Sequence, residues 1–214
     1  DSPRALAHGG LFVHCQIFFA SRLKPGNDWP MDDFTQARER MMLEQLEKRG
    51  ISNSRVLDAF RQVPREIFVD PDLRAQAYED RPLPIADGQT ISQPYVVALM
   101  LQAAEIDPDD RVLEVGAGSG YSAALLGHLA QRVWTIERQP RLSRFAGSRI
   151  AELGLAQATV LRGDGSLGWP PAAPFDAIIV TAGGPSIPEA LRAQLVVGGR
   201  LVMPGGPSET AQRL

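Results

Sequence analysis

The chain has 214 residues, 44% of them hydrophobic and 22% charged, with a formal net charge of -3. That composition suits one globular domain with a small appendage, is too apolar for a disordered segment, and lacks the basic excess of a nucleic-acid surface. Cys15 is the only cysteine, which rules out an intramolecular disulfide and a cysteine-built metal cage and fits a reducing, cytoplasmic setting.

The first 30 residues show neither sustained periodicity nor capping logic. Their apolar stretch, 11–20, is broken by His14 and Gln16 and falls short of the roughly 20 residues a membrane span needs. No clear basic region precedes it and no A-x-A-like site follows, so it does not read as a signal peptide. At Met31 the pattern turns to a charged, helix-forming run, so Met31 reads as the natural start and residues 1–30 as an irregular extension. Residues 34–49 predict a helix that ends at Gly50, a suitable left-handed stop. Ser52, Asn53 and Ser54 offer caps for a second helix over 55–62, which Pro64 stops. Pro71 opens a short polar segment. Residues 81–94, with three prolines, read as a loop, and 95–105 as an amphipathic helix for which Ser92 is a candidate cap.

From Asp110 the rhythm changes. Strands are predicted over 111–115, 132–137, 159–162, 175–181 and 200–203, and helices over 119–130, 140–153 and 187–195, with Gly198 and Gly199 breaking the last. This alternation predicts an α/β fold, a doubly wound, mostly parallel sheet with right-handed crossovers. Residues 31–105 then form N-terminal helices and a loop, and 106–214 a Rossmann-like core, together one domain.

The first strand runs straight into Glu114-Val115-Gly116-Ala117-Gly118-Ser119-Gly120. In doubly wound sheets ligands sit beyond the carboxyl ends of the strands, and glycines let the backbone turn sharply and approach a ligand. Without its context this is merely a glycine-rich turn; its place between strand and helix makes it a ligand site. A dinucleotide fingerprint wants a third glycine where Tyr121 stands, which disfavours a nicotinamide-dependent oxidoreductase. Glu137 closes the next strand about 20 residues on, where a carboxylate can take both ribose hydroxyls of a nucleoside. Gly163-Asp164-Gly165 follows the third strand. The G-x-G-x-G pattern led by Glu114 resembles motif I of class I S-adenosylmethionine-dependent methyltransferases. That resemblance implies S-adenosyl-L-methionine as cofactor, bound by Glu114, Gly116, Gly118, Gly120, Glu137, Asp164 and Gly165, with Asp164 near the adenine amine.

The most distinctive segment is Leu83-Pro84-Ile85-Ala86-Asp87-Gly88-Gln89-Thr90-Ile91-Ser92-Gln93-Pro94-Tyr95. It resembles the G-Q-T-I-S-Q-P signature of protein-L-isoaspartate O-methyltransferases, and the likeness runs in order from about Met31 to Pro204. The resemblance implies methyl transfer to the free α-carboxylate of L-isoaspartyl residues in damaged proteins and peptides, the first step of their repair. Ser92 is then the active-site residue that orients the acceptor carboxylate, with Gln89, Thr90 and Ile91 shaping its loop. A carboxylate is already ionised at pH 7, so no strong base is needed, and positioning can supply several kcal/mol. The implied protein is a cytoplasmic monomer with no metal and no nucleic-acid or membrane partner.

Three departures from the family pattern stand out. Ala86 replaces a frequent glycine, and Thr181-Ala182-Gly183-Gly184-Pro185 adds backbone freedom beside the expected cleft. Residues 205–214 are too short and polar for the family's final antiparallel strands, so a fragment with an open sheet edge is expected. A small-molecule methyltransferase would share the glycine turn but not need residues 89–94, and a non-catalytic module would retain the fold alone. His8, His14 and Cys15 are poor metal-ligand candidates, and His128, late in a helix, reads as solvated or dipole-favoured. Trp29, Trp134 and Trp169 read as packing residues, with Trp169 placed to edge the cofactor pocket.

Overall fold

The computed structural model describes residues 31–184 and 186–204. The expectations for residues 1–30, including His8, His14, Cys15 and Trp29, lie outside that range, as do those for 205–214 and Pro185.

Helix α1, Met31–Met41, continues through a π turn, Met42–Leu46, and a 3₁₀ turn, Glu47–Arg49, to Gly50 at φ 91°. The helix expected over 34–49 is therefore present but changes winding halfway, with Met42 and Leu46 buried on one face. Helix α2, Ser54–Gln62, is capped by Asn53, whose side chain accepts from the amides of Arg55 and Val56. Extended backbone at Val63, imposed by Pro64, ends it. The segment opened by Pro71 is a 3₁₀ turn, Pro71–Gln76.

The region read as a loop contains a small antiparallel hairpin, β1 (Leu83–Pro84) and β2 (Thr90–Ile91), with Leu83 opposite Ile91. Helix α3, Pro94–Ala103, follows with proline at its first position. Its cap position is Gln93, not Ser92, so the capping role considered for Ser92 does not hold.

Strands β3 (Arg111–Val115), β4 (Arg132–Glu137), β5 (Ala158–Arg162), β6 (Phe175–Val180) and β7 (Leu195–Val202) form a parallel sheet in the order β5-β4-β3-β6-β7. Helices α4 (Tyr121–Leu129), α5 (Pro140–Glu152) and α6 (Glu189–Arg192) follow β3, β4 and β6. The winding runs outward from β3 through β4 to β5 and restarts on the other side with β6. The topological switch point therefore lies between the carboxyl ends of β3 and β6.

Alternation along the strands divides the core in two. Val112, Val133, Ala177 and Ile179 join the N-terminal helices, α3 and α4 in the larger cluster. Leu113, Val115, Ile136, Phe175 and Ile178 pack with Ala172 and with Leu191 of α6 in the smaller one. Both faces are thus covered, which explains why β6 is apolar at every position except Asp176 near its start.

The end of the sequence departs from its prediction. Helix α6 is a single turn, and Leu195 already belongs to β7. Gly198 and Gly199 do not break an element but sit inside β7, where the register jumps: Phe175 faces Leu195, yet Ala177 faces Arg200. Gly198 takes φ 84°, and a Cβ on Gly199 would lie 3.0 Å from the Asp176 carbonyl, so both glycines serve the bulge. Among the described residues β7 is the outer strand on that side.

Candidate functional site

The sequence places its glycines where β3 ends, and the backbone there shows why. Gly116, Gly118 and Gly120 all have positive φ, at 99°, 54° and 91°. Two are filled from behind: a Cβ on Gly116 would stand 2.7 Å from Thr181 Oγ1, and one on Gly120 would stand 3.0 Å from Ala146 of α5. Gly118 differs. The nearest atom to its absent Cβ is Ile85 Cδ1, 3.7 Å away, so its backbone faces open space roofed by the hairpin. That is a cradle of bare backbone at the switch point, the place where a nucleoside ligand is held in this architecture.

The turn is braced from both neighbouring strands. The amides of Gly116 and Ala117 donate to the Ile136 carbonyl, 2.9 and 3.1 Å, and the Thr181 amide and hydroxyl both donate to the Val115 carbonyl at 3.0 Å. Thr181 also donates to the Gly116 carbonyl. Thr181, at the start of the glycine-rich run, is thus pinned to the cradle. Gly184 lets Met203 pack close, since a Cβ there would lie 2.9 Å from its terminal methyl.

The predicted carboxylates fall at successive strand ends but in different settings. Glu137, 6% exposed, accepts from the Gly118 amide at 2.8 Å and from the Gln139 amide at 2.9 Å. It fixes the cradle directly. Glu114 lies underneath, fully buried, with Oε2 accepting from Thr135 Oγ1 at 2.5 Å; Oε1 and the Ser122 hydroxyl are buried without a hydrogen bond among the described residues. Burial pushes the Glu114 carboxyl up to about 7, with the hydrogen bond from Thr135 opposing and the charge of Glu137 adding. Asp164 is exposed and caps the 3₁₀ turn Gly165–Leu167, accepting from the Ser166 amide at 3.0 Å and hydroxyl at 2.8 Å. Those bonds hold its carboxyl below the usual carboxylate range, with Arg138 nearby helping. Gly165 is required for contact, because a Cβ there would lie 2.4 Å from Val115 Cγ1.

Facing the cradle is the hairpin. Its tip carries Asp87 at φ 57° and Gly88 at φ 68°, an unusual left-handed pair for which a non-glycine residue accepts strain. Gln89 and Thr90 are exposed, Ile91 is buried beneath them, and Ser92 is half-buried at the hairpin's base. The Ser92 carbonyl accepts from Arg65 Nη2 at 2.7 Å. Gln93 Nε2 donates to Asp80 at 2.8 Å, Arg49 pairs with Asp80 at 2.9 Å, and the Arg49 guanidinium lies 3.5 Å from the centroid of the Tyr95 ring.

Three residues that sequence reasoning did not single out shape this site. Arg65 holds the Ser92 carbonyl, and Ile85 covers Gly118. Gln194 clamps the turn after Asp164, accepting from the Trp169 amide at 2.7 Å and donating to the Leu167 carbonyl at 2.9 Å. Gly168, at φ 65°, makes room for that amide. Only Ile85 lay inside a noted motif; Arg65 and Gln194 act across 27 and 25 residues.

A parallel sheet with a glycine cradle at its switch point, carboxylates at successive strand ends and helices on both faces is the Rossmann-like architecture of class I methyltransferases. The family model described as protein-L-isoaspartate(D-aspartate) O-methyltransferase matches residues 37–214. A protein-L-isoaspartate O-methyltransferase of Rhodopseudomonas palustris is 54% identical over 181 residues, 85% of this chain and 74% of its own length. One from Pelobacter propionicus is 56% identical over 177 residues, covering 83% and 79%. A solved protein-L-isoaspartate O-methyltransferase superposes with a TM-score of 0.72 at 32% identity over 82% of this chain; the match spans 57% of that chain. A Plasmodium falciparum structure, described as a β-aspartate methyltransferase in complex with S-adenosyl-L-homocysteine, gives a TM-score of 0.69 at 25% identity, covering 84% and 86%. The chain belongs to the protein-L-isoaspartate O-methyltransferase family, and it is a methyltransferase.

Proposed function

We propose that this enzyme methylates the α-carboxylate of L-isoaspartyl residues in damaged proteins and peptides, using S-adenosyl-L-methionine, and so starts their repair. The observation that carries the reading is the closure of the hairpin over the cradle. Ile85 stands over Gly118, and the strand that follows it leads into Ser92.

The residues present fit the cofactor. Gly118 is the position where added side-chain volume would meet open space and the hairpin, not the body of the protein, and Glu137 already orients its amide. Glu137 and the turns at Gly116, Gly118, Gly120 and Gly165 would hold the nucleoside, with Asp164 at its adenine end and Glu114 supporting the turn from beneath. When bound, S-adenosylmethionine supplies the activated methyl group.

The chain's own work is then to align and to exclude water. Ser92 donates a hydrogen bond that orients the acceptor carboxylate, and Gln89, Thr90 and Ile91 shape the surface that receives the peptide. No general base is needed, because the carboxylate is ionised at neutral pH. Holding the reactants in line can contribute several kcal/mol of the barrier reduction. No described helix is long and apolar enough to cross a membrane. The same reading has the enzyme act as a monomer in the cytoplasm, with neither nucleic acid nor membrane as partner.

The test uses methyl-labelled S-adenosylmethionine and two peptides identical except for an aspartyl or isoaspartyl linkage. Base-labile label on the isoaspartyl peptide alone is expected. Equal labelling of both peptides, or transfer only to small molecules, would overturn the reading.

A further inference from the structure

Arg65 is fully buried, and its charge has no ion-pair partner among the described residues. The adjacent carboxylate, Glu66, is engaged elsewhere: it lies 3.6 Å from Arg38 and accepts from the Tyr78 hydroxyl at 2.5 Å. The guanidinium instead donates through Nε to the Ala77 carbonyl and through Nη2 to the Ser92 carbonyl, both at 2.7 Å. Its third nitrogen, Nη1, is buried without a hydrogen bond among the described residues, and so is the Tyr121 hydroxyl. The guanidinium carbon lies 4.8 Å from the centroid of the Tyr121 ring, which Phe60 and Phe68 hold edge-on at 5.9 and 5.4 Å.

Such a group is expensive to keep. Burying a charge without an ion-pair partner carries a desolvation penalty that carbonyl bonds and a ring contact offset only in part, and apolar residues of similar volume are often at least as stabilising. What only arginine supplies is a rigid planar fork, able to fix backbone from separate segments in one plane. Here the fork reaches two sites of chemical importance at once. One prong fixes the backbone of Ser92, at the base of the hairpin. Its guanidinium carbon lies over the ring of Tyr121, which directly follows Gly120 of the cradle.

We infer that Arg65 is a positioning residue that sets the acceptor-orienting Ser92 at a fixed distance from the cofactor turn, with Tyr121 as the fixed point on the cofactor side. The inference rests on the reading that Ser92 orients the acceptor carboxylate. Lysine is a poor substitute for Arg65, because a single ammonium nitrogen lacks the planar fork that reaches the two carbonyls from separate nitrogens while lying over the ring.

The test is a double-mutant cycle between Arg65→Lys and Ser92→Ala, supported by Arg65→Met. It reads kcat and KM on an isoaspartyl peptide, the dissociation constant of S-adenosylhomocysteine, and amide exchange across residues 83–93. The expected result is a kcat loss of about 30-fold in Arg65→Lys, since a displacement near 1 Å can cost on the order of 100-fold. S-adenosylhomocysteine binding stays within about 3-fold, and exchange quickens at residues 89–93 while α4 remains protected. In the Ser92→Ala background the Arg65 substitution costs less than about 3-fold, because there is no hydroxyl left to misplace. A full additional loss in that background would overturn the inference, as would wild-type kcat in Arg65→Lys or exchange that rises uniformly. If neither Arg65 variant folds, Tyr121→Leu, which keeps both carbonyl bonds, must show the same non-additivity with Ser92→Ala; additive losses overturn the inference. Wild-type kcat in Ser92→Ala alone would instead sink the reading of Ser92, and the inference with it.

Discussion

The cradle at the end of β3 and the hairpin that roofs it are built by opposite means. The cradle is local: Gly116, Gly118 and Gly120 lie within five residues, and short backbone bonds from the adjoining strands brace them. The hairpin is two short strands that could not stand alone in water. Its exit into α3 is fixed by side-chain contacts, with Arg65 on the Ser92 carbonyl, Asp80 on Gln93 and Arg49 on Tyr95. The half proposed to hold the cofactor is braced by backbone bonds close in sequence and space, and the half proposed to receive the protein substrate is held by side-chain contacts. Substitutions in the two halves should therefore fail differently.

The largest effect is expected at Gly116→Ala. The new methyl would meet Thr181 Oγ1 at 2.7 Å from a backbone already at φ 99°, so crowding and strain add. Together they cost the folded state roughly 3 kcal/mol, which lowers the melting temperature, and the displaced turn is expected to weaken S-adenosylhomocysteine binding about 10-fold or more. Calorimetric titration and thermal unfolding would check it; retained affinity would show that the cradle is not the cofactor site.

Next comes Gln194→Ala, which releases the Leu167 carbonyl and the Trp169 amide of the turn after Asp164. Two lost hydrogen bonds predict about 10-fold weaker cofactor binding with kcat at saturation nearly unchanged. A kcat loss at unchanged affinity would place this turn with the hairpin instead.

The smallest effect is a pH dependence. The Glu114 carboxyl is raised from an ordinary 4.5 to about 7 by burial. A group raised in the folded state contributes stability that is present below its unfolded value and lost as pH rises through its folded one. Between pH 4.5 and 7 the wild type should therefore lose stability that Glu114→Gln does not lose. The gap in melting temperature between the two proteins should shift toward the glutamine variant from pH 5 to pH 7.5. A constant gap would mean that Glu114 is not neutralised by burial.

Much of this was legible in the chain because it depends on short-range rules. Strand alternation, Asn53 as a cap, Gly50 as a stop and the glycines after β3 are consequences of backbone geometry and could be read residue by residue. The misreadings occurred where tertiary contact overrides propensity. Gly198 and Gly199 looked like a break, yet they build a bulge that lets β7 pair along β6. Ser92 looked like a cap, yet Gln93 takes that position. Arg65 was invisible for a different reason. Nothing local distinguishes a buried arginine from a solvated one, because its partners, Ala77, Ser92 and Tyr121, are set by the fold.

The division of labour between cradle and hairpin is tested most directly by Ser92→Ala, with isoaspartyl-peptide kinetics and S-adenosylhomocysteine affinity measured on the same preparation. Losing one hydrogen bond to a charged acceptor is worth about 1.5–3 kcal/mol, so kcat should fall on the order of 10- to 100-fold while affinity stays within about 3-fold. A wild-type kcat, or a loss of cofactor affinity that matches the loss of turnover, would contradict the account.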